Sequence, residues 1–162
     1  MNVYFTATEW LDPSNMRRSR RRVQDYLLSS LLYFDVDVGE ANFDQSIQET
    51  SRLVDYIEKN FGRNPSWIIF SGRRGFHIYY WDWENITTGP ENPRERVNHF
   101  IKSRKQMLKE LNEVSIRVDP IVTADPWRLM RAPGTLHGRT GRVAVPVYDI
   151  PHFTPDLAKI PV

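Results

Sequence analysis

Two aspartates stand two residues apart in the apolar stretch 33–38, Tyr-Phe-Asp-Val-Asp-Val. Because side chains at alternate positions of a β-strand point to one face, Asp35 and Asp37 would lie side by side. Neighbouring carboxylates repel each other and are costly to bury unless a cation lies between them, and such hard oxygen ligands suit Mg²⁺ or Mn²⁺. The pair therefore indicates a divalent-metal site. The alternative is a strand end at which the aspartates face water or cap the next loop.

A third carboxylate follows in the segment Arg117-Val118-Asp119, where the same alternation places Arg117 and Asp119 on one face. Three carboxylates on neighbouring strands could hold two metal ions, which stabilise the attacking and leaving oxygens of an in-line phosphoryl transfer. A surface ion pair, or a turn at Asp119 before Pro120, is the alternative. Asp125, which also precedes a proline, is typical of a turn.

The segment 71–77, Ser-Gly-Arg-Arg-Gly-Phe-His, is a basic turn between two apolar, aromatic runs. The runs at 67–70 and 78–81 are typical of strands, so the segment predicts a hairpin whose glycines let the backbone approach a ligand closely. Hydroxyl, guanidinium and imidazole groups are suited to holding phosphates. We therefore predict a nucleotide-binding hairpin that uses Ser71, Arg73, Arg74 and His77.

The loop 131–141, Arg-Ala-Pro-Gly-Thr-Leu-His-Gly-Arg-Thr-Gly, combines three glycines with two arginines and one histidine. Glycines permit close backbone approach, and Arg131 and His137 could donate hydrogen bonds to phosphate or sugar oxygens. A glycine-rich turn with one histidine is also common in loops without such a role. The loop gains weight only beside the other motifs.

Arginines and tryptophans outside these motifs leave further interpretations open. The run at 17–22 contains five arginines, which form either a solvated helix face or a phosphate-binding surface. Three tryptophans near the hairpin could stack on nucleic-acid bases, although aromatic residues of hairpins also pack in the core or across strands; they are Trp67, Trp81 and Trp83.

The length of 162 residues and the lack of internal repeats or a low-complexity linker favour one domain over residues 1–162, and a hydrophobic content of 40% argues against disorder. The chain contains no cysteine, which excludes a disulfide framework and a thiolate zinc site. No apolar run approaches the roughly 20 residues that span a bilayer, and no signal-peptide pattern opens the chain. We therefore expect a cytoplasmic protein, associated with the nucleoid if the source is prokaryotic.

Helices and strands alternate in the predicted order of elements. Helices are expected at 13–30, from a capping box at Ser46–Glu49 to Gly62, and after Asn92-Pro93. Their apolar stripes are 47, 50, 54, 57 and 61 in the second helix and 97, 101, 108 and 111 in the third. Strands are expected at 1–5, 31–38, 66–83 as a hairpin, 115–121 and 142–148. This pattern predicts an α/β or α+β sandwich with a mixed sheet.

The order of the motifs resembles the archaeo-eukaryotic primase superfamily, and most closely the catalytic small subunit of archaeal and eukaryotic DNA primase. That family has an acidic pair at a strand end, a Ser-Gly-x-x-Gly-x-His element and a distal aspartate, followed by a basic residue and a Leu-His or Val-His step. This chain has Phe-Asp-Val-Asp, Ser-Gly-Arg-Arg-Gly-Phe-His, Arg-Val-Asp and Leu-His-Gly-Arg-Thr-Gly-Arg-Val in the same order. Bacterial end-joining polymerases of the superfamily fit less well beyond the third aspartate.

The resemblance implies a role for each matching residue. Asp35, Asp37 and Asp119 would form the metal-binding catalytic triad. The incoming nucleotide would be bound by Ser71, Arg73, Arg74, His77, Arg117, Arg131 and His137. For the fold, the resemblance implies an α/β (α+β) catalytic core related to the RNA-recognition-motif sandwich and flanked by helices.

The implied activity is template-directed nucleotidyl transfer, in which a 3′-hydroxyl attacks the α-phosphate with two Mg²⁺ or Mn²⁺ ions and pyrophosphate leaves. The implied partners are nucleoside triphosphates, a single-stranded DNA template and a primer, with a primase large subunit or a helicase as a further partner and no membrane. No zinc is expected, because the family's zinc knob needs cysteines. The interval from His77 to Asp119 is short for the family, which indicates a compact member or a trimmed core.

Two other functions stay open at this point. A non-catalytic accessory subunit that binds nucleotides or nucleic acid would have no need of three converging carboxylates. A metal-dependent nuclease or phosphatase would share the carboxylates but would not need the arginine-rich hairpin.

Overall fold

Short strands and two long helices make up the chain in the computed structural model, which describes residues 3–11, 26–38, 43–83 and 89–160. In those ranges the strands are β1 (Tyr4–Thr6), β2 (Thr8–Trp10), β3 (Leu27–Ser30), β4 (Leu32–Val36), β5 (Trp67–Phe70), β6 (Phe76–Tyr80), β7 (Leu129–Arg131) and β8 (Val145–Pro146). The helices are α1 (Phe43–Phe61), α2 (Pro93–Glu113) and the short α3 (Pro120–Ala124), and a 3₁₀ turn covers Pro155–Ala158.

The largest sheet has the strand order β4-β6-β5-β8, and all its neighbouring strands are antiparallel. Two smaller ladders pair β1 with β7 and β2 with β3. In the large sheet His77 lies between Asp35 on one side and Ile69 on the other. The α/β (α+β) class is confirmed, and each described ladder is antiparallel where the sequence predicted a mixed sheet.

The two faces of the large sheet have different coverings, which follows from the alternation of side chains along each strand. One face packs Phe34, Phe70 and Ile78 against apolar residues of α1 and α2, among them Leu53 and Leu111. Both of these leucines are fully buried, and burying such a side chain contributes about 2 kcal/mol. The two helices therefore cover this face of the sheet and pack against it.

The opposite face carries Tyr33, Ile69 and Tyr79, which pack against Ala7 after β1 and Met130 in β7. Asp35 and His77 are directly paired across β4 and β6 and lie on this second face, two positions beyond Tyr33 and Tyr79. The predicted chemistry therefore lies on the face that the short ladders cover, not on the face that the helices cover.

Several predicted elements are confirmed. The strand at 31–38 and the hairpin at 66–83 are present as β4 and as β5 with β6. Asn92 caps α2, since its side chain accepts hydrogen bonds from the backbone N–H groups of Arg94 and Glu95. Gly62 ends α1 in the left-handed conformation with φ of 63°.

The predicted start of α1 was wrong. The helix begins at Phe43, three residues before the expected capping box, and Ser46 is buried inside its first turns. The buried residues of this helix are Ser46, Glu49, Thr50, Leu53 and Ile57, so the stripe is rotated from the prediction. In α2 the buried stripe includes Arg104, a charged residue that a hydrophobic pattern cannot reveal.

Three further predictions differ from the structure. Residues 27–30 form β3 rather than the end of a helix, because pairing with β2 outweighs the helical spacing of the leucines; residues 12–25, with the arginine run, lie outside the described ranges. The expected strand at 115–121 is an extended segment followed by α3, which Pro120 starts and Asp119 caps. The strand predicted at 142–148 is reduced to β8 and two isolated bridges.

Among the described helices, none combines the length and the apolar character that crossing a membrane requires.

Candidate active site

The three predicted aspartates come from two separate segments that meet beside the large sheet. Asp35 lies near the end of β4, and Asp37 follows just past that end. The backbone N–H of Asp119 donates a hydrogen bond of 2.7 Å to the carbonyl oxygen of Asp35. This bond places Asp119 next to β4 although 83 residues separate the two aspartates in sequence.

The carboxyl group of Asp35 is in an unfavourable environment for a charge. Burial, together with the nearby charges of Asp119 and Asp37, raises the pKa of Asp35 to about 7, while the charges of Arg128 and Arg74 act in the opposite direction. Mutual repulsion among the three carboxylates is the electrostatic pattern that a divalent cation neutralises. The donor chemistry therefore fits Mg²⁺ or Mn²⁺.

The other two carboxylates make hydrogen bonds within the protein. Asp119 Oδ1 accepts from the backbone N–H groups of Ile121 at 2.8 Å and Val122 at 2.9 Å. Asp37 Oδ1 accepts from Arg74 Nε at 2.5 Å. In the part of the chain that the structure describes, no three carboxylate or imidazole groups are gathered closely enough to hold an ion. The three aspartates are neighbours, but their carboxylate groups are not arranged as the ligand shell of a metal ion.

The hairpin turn is packed tightly, and its glycines are the reason that this packing is possible. The turn is closed by a hydrogen bond of 2.9 Å from Ser71 N–H to the carbonyl of Gly75. A Cβ atom at Gly75 would lie 2.5 Å from the carbonyl oxygen of Val36, and one at Gly72 would lie 2.9 Å from Cβ of His137. Gly72 also has φ of 90°, which favours glycine. The turn therefore touches both the aspartate strand and the histidine loop.

His77 lies at the centre of the site and is almost completely buried. Its Nε2 atom is 3.9 Å from Asp35 Oδ1, and its Nδ1 atom has no hydrogen-bond partner among the described residues. Burial, together with the positive charge of Arg131, lowers the pKa of His77 to about 4, against an opposing effect of Asp37. The imidazole is therefore neutral at neutral pH, and its Nδ1 atom is buried without a hydrogen-bond partner among the described residues.

Arg131 is held by a residue from the other end of the chain. Tyr4 and Arg131 are paired directly across β1 and β7. Arg131 Nη2 donates to the Tyr4 hydroxyl at 3.1 Å, and the guanidinium lies 5.0 Å from the centre of the Tyr4 ring. Arg131 Nη1 donates to the carbonyl of Leu136 at 3.0 Å, which connects β7 to the histidine loop.

These groups surround two adjoining pockets. The first has a volume of about 210 Å³ and is lined by Tyr4, Asp35, Asp37, Ser71, Arg73, His77, Val122, Arg128, Leu129, Met130, Arg131 and His137. The second, of about 360 Å³, is lined by Tyr4, Arg73, Arg131, His137, Gly138 and Arg139. Seven of the ten predicted site residues line the first pocket. Carboxylates stand at one end, and arginines continue into the second pocket.

The remaining three predicted residues do not line either pocket. Asp119 caps α3 beside Asp35, and Arg74 forms the ion pair with Asp37. Arg117 Nε is 3.2 Å from Oε1 of Glu49, a buried residue of α1. This contact directs the Arg117 side chain toward α1, which is not the position expected of a triphosphate ligand.

Sequence reasoning missed Tyr4, Arg128 and Arg139 as parts of the site. Arg128 and Arg139 flank predicted residues and belong to the basic clustering that the sequence shows. Nothing local singles out Tyr4, because its position depends on the pairing of β1 with β7 across more than 120 residues. Pairing of that kind is fixed by tertiary packing and not by a motif.

Known proteins share this architecture and this sequence pattern. The fold is similar to that of the structure described as "Polymerase Domain from Mycobacterium tuberculosis Ligase D in complex with DNA", with a TM-score of 0.59, 20% sequence identity, and coverage of 91% of this chain and 52% of that chain. The family model described as DNA primase small subunit matches residues 34–148. The chain belongs to the DNA primase small subunit family.

Individual relatives agree with the family model. "DNA primase small subunit PriS" of Pyrobaculum calidifontis is 32% identical over 189 residues, which cover 90% of this chain and 59% of the relative. The protein of the same name from Archaeoglobus fulgidus is 24% identical over 217 residues, covering 95% and 64%. The chain thus spans less than two thirds of the length of these relatives. Both alignments are longer than the 162 residues of the chain, so the relatives carry insertions inside the matched region.

Proposed function

We propose that the chain is the catalytic unit of a template-directed nucleotidyltransferase, a DNA primase or polymerase that joins nucleotides with release of pyrophosphate. One observation carries the proposal: a single pocket is lined by the carboxylates of Asp35 and Asp37, the hairpin residues Ser71 and Arg73, and the loop residues Arg131 and His137. Nucleotidyl transfer requires acidic groups for metal ions and basic groups for phosphates within one small pocket.

The basic side of the pockets would hold the triphosphate. Arg73, Arg131 and His137 line both cavities, and Arg139 extends the row into the larger one. Guanidinium groups bind phosphate oxygens through paired hydrogen bonds, and those of Arg131 are already oriented by Tyr4 and Leu136. Neutral His77, which lines the first pocket, would contact the sugar or a phosphate. In this proposal Arg117 supports α1 through Glu49.

The acidic side would hold Mg²⁺ or Mn²⁺ through Asp35, Asp37 and Asp119. Two such ions, when bound, lower the pKa of the attacking 3′-hydroxyl and stabilise the charge on the leaving pyrophosphate. The chain's own contribution is position: β4 fixes Asp35, and the hydrogen bond from Asp119 N–H to Asp35 holds the distal aspartate beside it. Arg74 pairs with Asp37. Once a cation takes the place of the Arg74 guanidinium at Asp37, the Arg74 side chain would turn to the triphosphate.

Template-directed incorporation of one nucleotide onto a primer tests the proposal, with Mg²⁺ or Mn²⁺ present. We expect the double substitution Asp35→Ala with Asp37→Ala to abolish incorporation while circular dichroism shows an intact fold. Asp55→Ala is the matched control, because Asp55 is an exposed residue of α1 away from the pockets. Incorporation at the normal rate by the double variant would overturn the metal assignment. The same assay without a primer distinguishes a primase from an enzyme that only extends.

A non-catalytic accessory subunit is the second candidate, because Asp119 caps α3 and does not line the pocket. It predicts nucleotide binding with no incorporation under any metal condition. Single-stranded DNA template, primer, nucleoside triphosphates and a primase large subunit or helicase are the partners that the main proposal names. The single catalytic domain over 1–162 and the cytoplasmic location stay predictions.

A further inference from the structure

Three exposed aromatic side chains lie at or just beyond the ends of neighbouring strands of the large sheet. Trp67 is 45% exposed, Trp81 is 44% exposed and Tyr148 is 95% exposed. Large aromatic residues usually bury most of their surface, so a group of this kind marks an interaction site. We call these three residues the aromatic ledge.

The members of the aromatic ledge are neighbours across three strands. The rings of Trp67 and Trp81 are in contact, with centroids 5.0 Å apart. Val147 N–H donates to the carbonyl of Ile68 at 2.8 Å, which continues the antiparallel register of β5 with β8 and places Tyr148 next to Trp67. Ser66 makes two hydrogen bonds with this part of the hairpin: its N–H donates to the carbonyl of Tyr79, and its hydroxyl accepts from Trp81 N–H.

The ledge lies on the same face of the large sheet as the candidate active site. Trp67 is two positions from Ile69, which pairs directly with His77, so Trp67 and Ile69 share the face of His77 and Asp35. On that face Ile69 and Tyr79 are buried beneath the short ladders, whereas Trp67 at the edge is exposed. At about 3.3 Å per residue along a strand, Trp67 lies about 7 Å from the row of His77, which is about two stacking steps of a nucleic-acid strand.

A positive charge accompanies the aromatic rings. Arg63 Nη1 donates to the carbonyl oxygen of Asp82 at 2.7 Å, which places its guanidinium beside the residue that follows Trp81. Aromatic faces with an adjoining cation are the combination by which proteins bind single-stranded nucleic acid, the rings stacking on bases and the cation contacting phosphate. The sequence had left base stacking open for Trp67 and Trp81, and the exposure of both rings favours it over packing in the core.

We propose that the aromatic ledge, with Arg63, binds the single-stranded nucleic acid that leads into the active site, by stacking of its bases on Trp67 and Trp81. The proposal rests on the proposed function, because that function supplies the strand. The ledge contacts bases away from the reacting groups, so it is a strand-binding surface and not part of the catalytic machinery.

The test compares binding of two probes of about 12 nucleotides, an oligothymidylate and an abasic sugar-phosphate strand of equal length, by anisotropy and by quenching of tryptophan fluorescence. We expect the protein to bind the oligothymidylate more tightly. Trp67→Leu and Trp81→Leu should each reduce its affinity about 10-fold, leave the affinity for the abasic strand nearly unchanged, and reduce the quenching. Arg63→Gln should lower the affinity for both probes and reduce the salt dependence.

Phe61→Leu is the matched control, because Phe61 is a partly exposed aromatic residue that packs on Trp83 and Tyr56 toward the helix-covered side. This control should bind both probes as the unaltered protein does. Equal oligothymidylate affinity in the unaltered protein and in both tryptophan variants would overturn the proposal and would indicate that the ledge contacts another protein.

The proposed function is tested separately by nucleotide incorporation with the unaltered protein. Absence of incorporation together with a stacking-dependent preference for bases would refute the enzyme and retain the ledge. Incorporation together with an oligothymidylate affinity that the tryptophan substitutions do not change would retain the enzyme and refute the ledge.

Discussion

Replacing Asp35 by asparagine should make the metal-free protein more stable at neutral and alkaline pH. The carboxyl group of Asp35 is largely buried, and burial together with the charges of Asp119 and Asp37 raises its pKa from 3.8 to about 7. Asparagine has nearly the same shape but no charge. The substitution therefore removes the repulsion while keeping the packing of β4.

The magnitude follows from the change in pKa. Each tenfold change in an acid dissociation constant is worth about 1.4 kcal/mol, so a rise from 3.8 to about 7 costs at most about 4 kcal/mol when Asp35 is ionised. The other titratable groups are present in both proteins, so their contributions to the free energy of unfolding cancel in the comparison. For a domain of this size the gain corresponds to an increase in melting temperature of up to about 8–16 °C.

The sign of the pH dependence is fixed by the direction of the pKa change. Below the unfolded pKa of 3.8, Asp35 is protonated in both states and the two proteins should be equally stable. As pH rises, the unfolded state loses its proton first, so the stability of the unaltered protein falls relative to that of Asp35→Asn. The difference should stop growing above about pH 7, where the folded state has also lost the proton.

Urea unfolding followed by circular dichroism in the presence of EDTA measures both proteins at pH 4 and pH 8. Asp55→Asn serves as the control, because Asp55 is exposed on α1 and its removal should change stability little at either pH. Added Mg²⁺ should stabilise the unaltered protein more than Asp35→Asn, since binding to the native state raises its stability. The reasoning fails if Asp35→Asn is no more stable at pH 8, or if any difference is the same at both pH values.

Three further substitutions test how the site is held. Tyr4→Phe removes one hydrogen bond to Arg131, so the KM for the nucleotide should rise about 3- to 10-fold with kcat retained, and Tyr4→Leu should raise it further; steady-state kinetics measures both. Gly75→Ala places a methyl group against the carbonyl of Val36 and should cost about 1–3 kcal/mol of unfolding free energy, measured in urea. Arg104→Met removes the hydrogen bonds that Arg104 donates to four oxygen atoms and should cost about 3 kcal/mol or more in the same assay. Unchanged values would contradict the contacts assigned to each residue.

Local patterns predicted the parts of the fold that local chemistry determines. The hairpin is defined by its glycines between two aromatic runs, and α2 begins where Asn92 and Pro93 satisfy its first turn. Both structures depend on neighbours in sequence, so a single sequence suffices. The face on which Asp35 lies was predicted for the same reason, since the alternation of side chains along β4 determines it.

Features that depend on distant contacts escaped prediction. Asp119 was ambiguous in sequence between a strand and a turn before proline, and the structure has both relations: its N–H pairs with β4 while its carboxylate caps α3. Nothing in the sequence indicated that Arg104 is buried, yet it is fully buried and donates to Ser30 and Leu31. A hydrophobic pattern assigns polar residues to the surface, and it fails where a buried charge is satisfied by backbone carbonyls.

The direct pairing of Asp35 with His77 determines which changes of chain length the family can tolerate. One antiparallel ladder holds the carboxyl group of Asp35 beside the imidazole of His77. Segments inserted between α1 and β5 or after β6 therefore leave the distance between these two groups unchanged. We therefore expect the insertions in the longer relatives to lie outside this ladder. A single residue inserted within Leu32–Val36 would instead turn Asp35 into the helix-covered core, because strand side chains alternate between faces. Variation in length should therefore accumulate everywhere except within this ladder.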